Sequence, residues 1–211
     1  MSNKNEVTGI ILSGGLSRRM GEHKAFMKIN GRTLIELVKD KSINQVSELI
    51  LNCNEQSEKY KNIFQTKVLK DCIPGNLGPL VGILTGLKWV LKNSQSKWLA
   101  TFPVDSPFFP DNLISKFIAE SHDKEVLIAK SEDRVHPVFA MWKVCTKLES
   151  ELEKSLKNEE RKIMDFAKKF KTRLVKFPYI GYDLFFNVNT PEDLKKAERI
   201  FQIKNKKTRN R

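Results

Sequence analysis

Apolar and polar positions follow two different periods along the 211-residue chain, one typical of strands and the other typical of helices. Short apolar runs bounded by polar residues, glycine or proline predict buried strands. Eight strands are predicted in this way, over Val7–Leu12, Glu48–Leu51, Lys67–Leu69, Trp98–Val104, Val126–Ala129, Val138–Trp142, Arg173–Phe177 and Phe185–Val188.

Helical patterns fill the intervals between these strands. Thr33 followed by Glu36 forms a capping-box pattern, which predicts a helix that continues to about Val46. Behind Pro79, a favoured first residue of a helix, four leucines recur at intervals of three or four on one helical stripe. Further helices are predicted over Asn112–Glu120, Thr146–Leu156, Lys162–Phe170 and Pro191–Phe201.

The strand–helix alternation predicts the fold class. An α/β, Rossmann-like three-layer sandwich is expected, with a mostly parallel sheet and helices on both faces. Residues 1–203 are expected to form this single domain, because the chain is long enough to bury one substantial core. Residues 204–211 are basic and lie beyond the last amphipathic pattern, so they are expected to form a disordered tail.

The charge of the chain favours an anionic partner. Lys and Arg number 38 and Asp and Glu number 25, which gives a net charge of +13. Five of the positive charges lie in the last ten residues, where no acid lies, so the rest of the chain carries +8 of the +13. Nucleotides, nucleic acid and membrane surfaces are all anionic partners of this kind.

Cysteine content and hydropathy predict a soluble, cytoplasmic protein. The chain has three scattered cysteines and no CxxC pair, a pattern that indicates neither a disulfide framework nor a zinc site. The apolar run Val7–Leu12 is too short for the core of a secretion signal. The longest later apolar segment, Pro79 to Leu91, contains Lys88 and is not expected to span a bilayer.

Polar residues follow several of the predicted strands. Ligands of open α/β sheets bind at the carboxyl ends of the strands, so these residues are the first candidates for a site. They are the loop after Leu12, Asn52, Asp71, Asp105, and the pair Asn187 and Asn189.

The loop "LSGGLSRRMGEHK", residues 12–24, matches neither common phosphate-binding motif. Gly14 and Gly15 are adjacent, which breaks the GxGxxG pattern, and no lysine directly follows Gly21, which breaks the P-loop pattern. A Rossmann dehydrogenase and a P-loop NTPase are therefore disfavoured. Glycines nevertheless let backbone N–H groups approach an anion closely, and Arg18, Arg19 and Lys24 add positive charge.

The same loop resembles the signature L-A-[GA]-G-x-x-x-R-M-G-x-x-K of a group of nucleotidyltransferases. The chain as a whole resembles the molybdenum cofactor guanylyltransferase family. The resemblance extends, in order, through "LILNCNE", "VLKDCIPGNLGPLVGILTGLKW", "WLATFPVDSPFFPDNL", "RVHPVFAMW" and "NVNTPEDL". The sequence departs from the family pattern at Ser13, where alanine is usual, and at Glu22-His23, where the family often has a longer stretch ending in Asp.

The resemblance implies a set of site residues. The positions that match nucleotide-binding positions of the family are Leu12, Ser13, Gly14, Gly15, Lys24, Asn52, Asp71, Gly82 and Asp105. Arg19, Lys24 and Asp105 match catalytic positions, and Asp105 also matches the ligand of Mg²⁺. Asn187 and Asn189 match asparagines placed near the molybdopterin or a metal. His136 is given no catalytic role.

The resemblance also implies a reaction and its partners. The phosphate of molybdopterin, with or without molybdenum, is expected to attack GTP, and other proteins of molybdenum cofactor synthesis are expected as transient partners. Neither nucleic acid nor a membrane is expected to bind. Three alternatives stay open: a cytidylyltransferase acting on the same pterin, a sugar-phosphate nucleotidyltransferase, and a basic nucleic-acid-binding module.

Overall fold

A computed structural model describes residues 6–14, 24–55, 59–60, 67–75 and 77–209, with side chains up to residue 203. The strands in this part of the chain are β1 Val7–Leu12, β2 Lys28–Ile29, β3 Arg32–Thr33, β4 Glu48–Asn52, β5 Val68–Leu69, β6 Trp98–Pro103, β7 Val126–Ser131, β8 Arg134–Lys143 and β9 Thr172–Phe177. The helices are α1 Leu34–Ile43, α2 Pro79–Asn93, α3 Leu113–Ala119, α4 Thr146–Lys157, α5 Ile163–Ala167 and α6 Pro191–Arg209. A short 3-10 helix covers Lys24–Phe26.

Seven strands form one central sheet in the order β5–β4–β1–β6–β8–β7–β9. Every neighbouring pair is parallel except the two that involve β8. Leu12, the last residue of β1, pairs with Asn52 of β4 on one side and with Pro103 of β6 on the other. The carboxyl ends of the three strands therefore lie side by side at one edge of the sheet.

Helices cover both faces of the sheet, which confirms the predicted three-layer α/β sandwich. One face buries Leu34 and Val38 of α1, Phe117 of α3 and Ala197 of α6 in a common apolar core. The opposite face buries residues of α2, α4 and α5, among them Leu84, Leu152 and Phe166, in a second core. Burial of these apolar faces is the main force that holds the helices to the sheet.

The local signals read from the sequence act as expected at the helix starts. Thr33 Oγ1 accepts a hydrogen bond from the backbone N–H of Glu36, and the Glu36 carboxylate accepts one from the N–H of Thr33 at 2.8 Å. Pro79 occupies the first turn of α2. Thr190 accepts a hydrogen bond from the N–H of Asp193 at the start of α6.

The prediction of a strand over Phe185–Val188 is wrong. These residues form turns and irregular backbone, because their backbone N–H groups donate to Asp183 and Asp105 rather than to a neighbouring strand. The Asp183 carboxylate accepts a hydrogen bond from the N–H of Phe185, and the Asp183 carbonyl accepts one from the N–H of Phe186. The N–H of Val188 donates to the carbonyl of Asp105 at 2.8 Å, which ties this segment to the end of β6.

Two further elements differ in extent from their predictions. Helix α6 continues past its predicted end at Phe201 to Arg209, and the division into a domain over residues 1–203 and a disordered tail over residues 204–211 stays a prediction. No glycine or proline interrupts this segment, and lysine and arginine have good helix propensity. Strand β8 begins at Arg134 rather than Val138, because its first residues pair with β7 in an antiparallel hairpin.

Candidate active site

A cavity of about 520 Å³ lies over the carboxyl ends of β1, β4 and β6. It contains most of the residues that the sequence singled out. Of the residues that the sequence singled out, those in the lining are Leu12, Ser13, Gly14, Lys24, Asn52, Asp71, Asp105 and Asn187. Gly82 and Asn189 lie behind this lining and contact residues within it. Gly15, Arg18 and Arg19 lie outside the described residues.

Lys24 and Asp105 form an ion pair in this cavity. Lys24 Nζ lies 2.9 Å from Asp105 Oδ2, and both side chains are about one-fifth exposed. Lys24 also donates a hydrogen bond to the Asn189 Oδ1 atom. The lysine follows the glycine loop and the aspartate follows β6, so the tertiary fold joins residues 81 positions apart in sequence.

The segment that carries Asn187 and Asn189 is fixed beside Asp105. Ser106 donates from its hydroxyl to Asn187 Oδ1, and the N–H of Val188 donates to the Asp105 carbonyl. The Asp193 carboxylate at the first turn of α6 accepts hydrogen bonds from the N–H groups of Asn189 and Thr190, each at 3.1 Å. These contacts hold amide and carboxylate oxygens at one end of the cavity.

At the other end of the cavity, two asparagines hold the carboxylate of Asp71. Asn52 donates to Asp71 Oδ1 at 2.8 Å, and Asn54 donates to Asp71 Oδ2 at 2.6 Å. The Asn54 side-chain oxygen accepts a hydrogen bond from the N–H of Asp71 at 2.9 Å. The sequence analysis missed Asn54. Its position two residues after Asn52, hence on the same side of an extended chain, was the signal that could have found it.

Gly82 allows α2 to lie close to the strand ends. A Cβ atom at this position would lie 2.5 Å from Asn52 Oδ1 and 2.7 Å from Leu12 Cδ2. The glycine therefore makes room for the asparagine that positions Asp71. The start of α2 also borders the cavity, where Gly78 and Pro79 lie. Amide groups in the first turn of a helix lack intrahelical partners and favour anions.

Ser13, the second residue of the loop, is buried. Its hydroxyl lies 2.6 Å from the hydroxyl of Tyr60, whose side chain is also buried. Burial raises the pKa of Tyr60 far above its ordinary value, and the hydrogen bond from Ser13 opposes that effect only in part. The tyrosine therefore stays neutral. This contact satisfies the hydroxyl of Ser13 inside the protein.

The first half of β8 forms another wall of the cavity, with Arg134 and His136. His136 is 7% exposed, and its ring stacks on Phe185 with the ring centroids 4.5 Å apart. Its Nε2 atom lies 2.6 Å from the hydroxyl of Ser131. Burial lowers the pKa of His136, the charge of Asp183 raises it, and Arg134 lowers it further, with a net downward shift. The imidazole is therefore neutral at pH 7.

The donor set beside Asp105 fits a divalent cation bound together with a phosphate ligand. Hard cations such as Mg²⁺ take oxygen ligands, commonly one or two carboxylates with the rest from waters and substrate phosphates. Asp105 supplies a carboxylate, Asn187 and Asn189 supply amide oxygens nearby, and the Lys24 ammonium already lies between Asp105 and Asn189 as a cation. Within the described ranges, no group of three His, Cys, Asp or Glu side chains forms a metal site from protein ligands alone.

The arrangement gives the cavity two chemically different ends. The Asp71 end offers acceptors and donors suited to the hydroxyl and N–H groups of a nucleoside. The Lys24–Asp105 end offers a cation, which suits phosphates, and a carboxylate, which suits a metal ion. No helix among the described residues is long and apolar enough to cross a membrane.

Comparisons with family models and with known sequences identify the same group of proteins. The family described as the MobA-like NTP transferase domain matches residues 9–172. A molybdenum cofactor guanylyltransferase of Bradyrhizobium sp. is 36% identical over 204 residues, which cover 94% of this chain and 95% of that protein. Another protein of that name from Rhodopseudomonas palustris is 34% identical and covers 95% of this chain and 96% of its own length.

Comparison with solved structures leads to the same group of proteins. The crystal structure of molybdopterin-guanine dinucleotide biosynthesis protein A from Archaeoglobus fulgidus superposes with a TM-score of 0.74 at 26% identity. The superposition covers 92% of this chain and 98% of that one.

Proposed function

This chain belongs to the MobA-like NTP transferase family, and on that premise we propose that it transfers GMP from GTP to the terminal phosphate of molybdopterin. An oxygen of the acceptor phosphate forms a bond to the α-phosphorus of GTP, and the bond from that phosphorus to the bridging oxygen of the β-phosphate breaks. Pyrophosphate leaves, and the product is a molybdopterin guanine dinucleotide. The acceptor is molybdopterin with or without bound molybdenum.

The observation that carries this proposal is the convergence of Lys24, Asp105 and Asn189 at one end of the cavity, opposite the Asp71 cluster. A nucleoside triphosphate fits between these ends with its base and ribose toward Asp71 and its phosphates toward Lys24. Relatives that match 94–95% of the chain carry the name of this activity, which supports the choice of guanylyl transfer over other nucleotidyl transfers.

The chemistry needs positioning and charge neutralisation rather than a general base. A phosphate monoester has a second pKa of about 6, so the attacking group is already largely dianionic at neutral pH. Lys24 stabilises negative charge that develops on the phosphates and on the leaving pyrophosphate. Arg19 is proposed for the same task. Asn52 and Asn54 orient Asp71, which accepts hydrogen bonds from the ribose or the base.

We assign the divalent cation to Asp105 and propose that it is Mg²⁺. Asp105 would hold this ion, and its positive charge would neutralise charge on the phosphates. Asp105 supplies the protein carboxylate, and Asn187 and Asn189 supply amide oxygens beside it. Gly14 lines the phosphate end of the cavity, where the space around its Cα is open.

The proposed setting is the cytoplasm, with transient contacts to other proteins of molybdenum cofactor synthesis and none to nucleic acid. Cys53, Cys72 and Cys145 are free thiols, which is consistent with a reducing compartment. Cell fractionation would test the location, and salt-dependent binding to unrelated DNA or RNA would contradict the absence of a nucleic-acid partner.

Incubation of the purified protein with molybdopterin, Mg²⁺ and an equimolar mixture of GTP, CTP and ATP tests the function. Mass spectrometry of the pterin is expected to show the addition of GMP, and pyrophosphate release is expected to depend on the pterin. A CMP adduct would assign the protein to cytidylyl transfer. Transfer to a sugar phosphate and none to the pterin would overturn the proposed acceptor.

A further inference from the structure

The β7–β8 hairpin forms a wall of the cavity that the nucleotide does not need. Strand β6 pairs with β8 only from Trp98 to Thr101, so the first residues of β8 extend past this pairing toward the carboxyl edge of the sheet. The ladder between β7 and β8 is irregular: Ile128 pairs with Ala140, whereas the next residue, Ala129, pairs with His136. The three residues of β8 between His136 and Ala140 therefore have no partner in β7. Bulges of this kind bend a hairpin and change the direction of its side chains.

His136 presents a buried hydrogen-bonding group on this wall. The Ser131 hydroxyl donates to the Asp183 carboxylate, which as an ion can only accept, at 3.4 Å. With the Ser131 proton directed at Asp183, we assign the tautomer in which the imidazole N–H at Nε2 donates to Ser131. Nδ1 remains an acceptor, and among the described residues it has no hydrogen-bond donor. A side chain that is 7% exposed and lines the cavity thus has an acceptor left for a ligand.

Arg134 lies two residues away on the same wall, at the junction of two cavities. It lines the main cavity and also a smaller cleft of about 250 Å³ that contains Tyr179 and Asp183. The guanidinium is 65% exposed and lies 3.6 Å from Asp183 Oδ2, at the long end of an ion pair. Tyr179 is 53% exposed beside it. A planar cation and an exposed aromatic ring together suit a flat, anionic ligand.

We propose that the hairpin wall is the binding site for the ring system of the acceptor, with Arg134 and His136 as its direct contacts. This inference rests on the proposed function. The acceptor phosphate lies at Lys24 and Asp105, and the ring extends along β8 toward Tyr179. His136 Nδ1 accepts a hydrogen bond from a ring N–H, and the planar guanidinium of Arg134 lies against the face of the ring system. The nucleotide occupies the opposite end, at Asp71.

The first test replaces Arg134 and measures each substrate separately. Arg134→Ala is expected to raise the KM for molybdopterin on the order of tenfold, the loss typical of a contact with a charged group, with the KM for GTP unchanged. Arg134→Lys keeps the positive charge but lacks the planar guanidinium. Its KM for molybdopterin is therefore expected to lie between those of wild type and Arg134→Ala. Arg173→Ala is the matched control, because Arg173 is also an exposed arginine paired with a carboxylate, Glu120, but lies away from the cavity on β9. Equal KM values for molybdopterin in wild type and Arg134→Ala, or the same increase in Arg173→Ala, would overturn the proposal.

The second test measures binding without turnover, so that it separates this inference from the proposed reaction. Fluorescence titration of wild type with molybdopterin is expected to show binding that His136→Phe and Arg134→Ala weaken. The phenylalanine keeps the stack on Phe185 and removes the acceptor nitrogen, and its melting temperature is checked against wild type. If wild type binds the pterin and the variants do not, but no GMP transfer occurs, the proposed function fails and the site stands. If transfer occurs and both variants bind as wild type does, the site fails alone.

Discussion

The Lys24 ammonium lies 2.9 Å from the Asp105 carboxylate, and it joins the end of the glycine loop to the end of β6. Neither residue is fully buried, so the pair contributes little to the stability of the fold. Its value lies in the placement of opposite charges at the phosphate end of the cavity. Substitution of Asp105 is expected to change the magnesium dependence of the activity, because Asp105 acts on the phosphates through a cation, whereas Lys24 neutralises their charge directly.

Asp105→Asn keeps the shape of the side chain and removes its charge. We expect kcat to fall by about a hundredfold or more, as typically happens when an electrostatic stabiliser of the transition state is lost. The melting temperature is expected to stay close to that of wild type, because Lys24 keeps its hydrogen bond to Asn189. A magnesium titration of the activity is the measurement. Normal turnover with unchanged magnesium dependence would remove Asp105 from the site.

Lys24→Ala removes the cation next to Asp105. Turnover is expected to fall by about a hundredfold, because charge on the leaving pyrophosphate is no longer neutralised. Lys28→Ala is the matched control, since Lys28 is an exposed lysine four residues later, on β2. Steady-state kinetics with both substrates should show the loss only for Lys24. Equal losses for the two variants would mean that the region acts through diffuse positive charge.

Gly82→Ala places a methyl group where there is no room for it. The new Cβ would meet the Asn52 amide and the Leu12 side chain, so Asn52 must move and release Asp71. We expect a destabilisation of about 1–3 kcal/mol, typical of overpacking, and a higher KM for GTP. Urea denaturation and GTP binding by calorimetry measure the two effects. Gly31→Ala is a control for the loss of a glycine, because Gly31 lies in the exposed turn between β2 and β3, although its φ of +82° adds local strain.

The buried His136 is expected to make stability depend on pH. Its pKa is lowered in the folded protein by burial, outweighing the opposing charge of Asp183, whereas the unfolded chain titrates near the ordinary value of 6.5. The neutral form is therefore favoured in the folded state. Its contribution to stability is complete above pH 6.5 and is lost as the pH falls through the lower pKa of the folded protein.

Urea midpoints measured between pH 8 and pH 5 test this expectation. His136→Phe should flatten the decrease in stability below about pH 6.5, the ordinary pKa of histidine. His122→Gln is the matched control, because the side chain of His122 is fully exposed, and it should keep the wild-type slope. An identical slope in wild type and His136→Phe would show that the acid sensitivity arises elsewhere.

Removal of residues 204–211 is expected to leave kcat unchanged. The segment continues α6 away from the first turn at Thr190, which is the part of the helix beside Asn189. Because five positive charges are lost, association with anionic substrates is expected to slow at low ionic strength and to recover at physiological salt. Kinetics of the truncated chain at two salt concentrations decide this. A loss of kcat at both concentrations would place the basic segment in the chemical step.

Much of the fold could be read from local patterns. The strands β1, β4 and β6 and the capped helices α1 and α6 have strong signals, because apolar periodicity and side-chain capping are set by residues close together in sequence. The segment over Phe185–Val188 has the same apolar pattern but is not a strand. Its backbone N–H groups donate hydrogen bonds to Asp183 and Asp105, so they do not pair with a neighbouring strand. Periodicity reports which residues are buried, and it does not report where their backbone hydrogen bonds go.

The sequence by itself determined which residues end the parallel strands. Parallel strands of an α/β sandwich have their carboxyl ends at the same edge of the sheet, so Asn52, Asp71 and Asp105 could be placed together at that edge. Only the tertiary structure decided the pairs across that edge: Lys24 with Asp105, Asn54 with Asp71, and Ser13 with Tyr60. It also bent the β7–β8 hairpin so that Arg134 and His136 reach the cavity. These contacts join residues far apart along the chain, and they depend on loop paths and on a bulge whose geometry is set by packing rather than by any local pattern of residues.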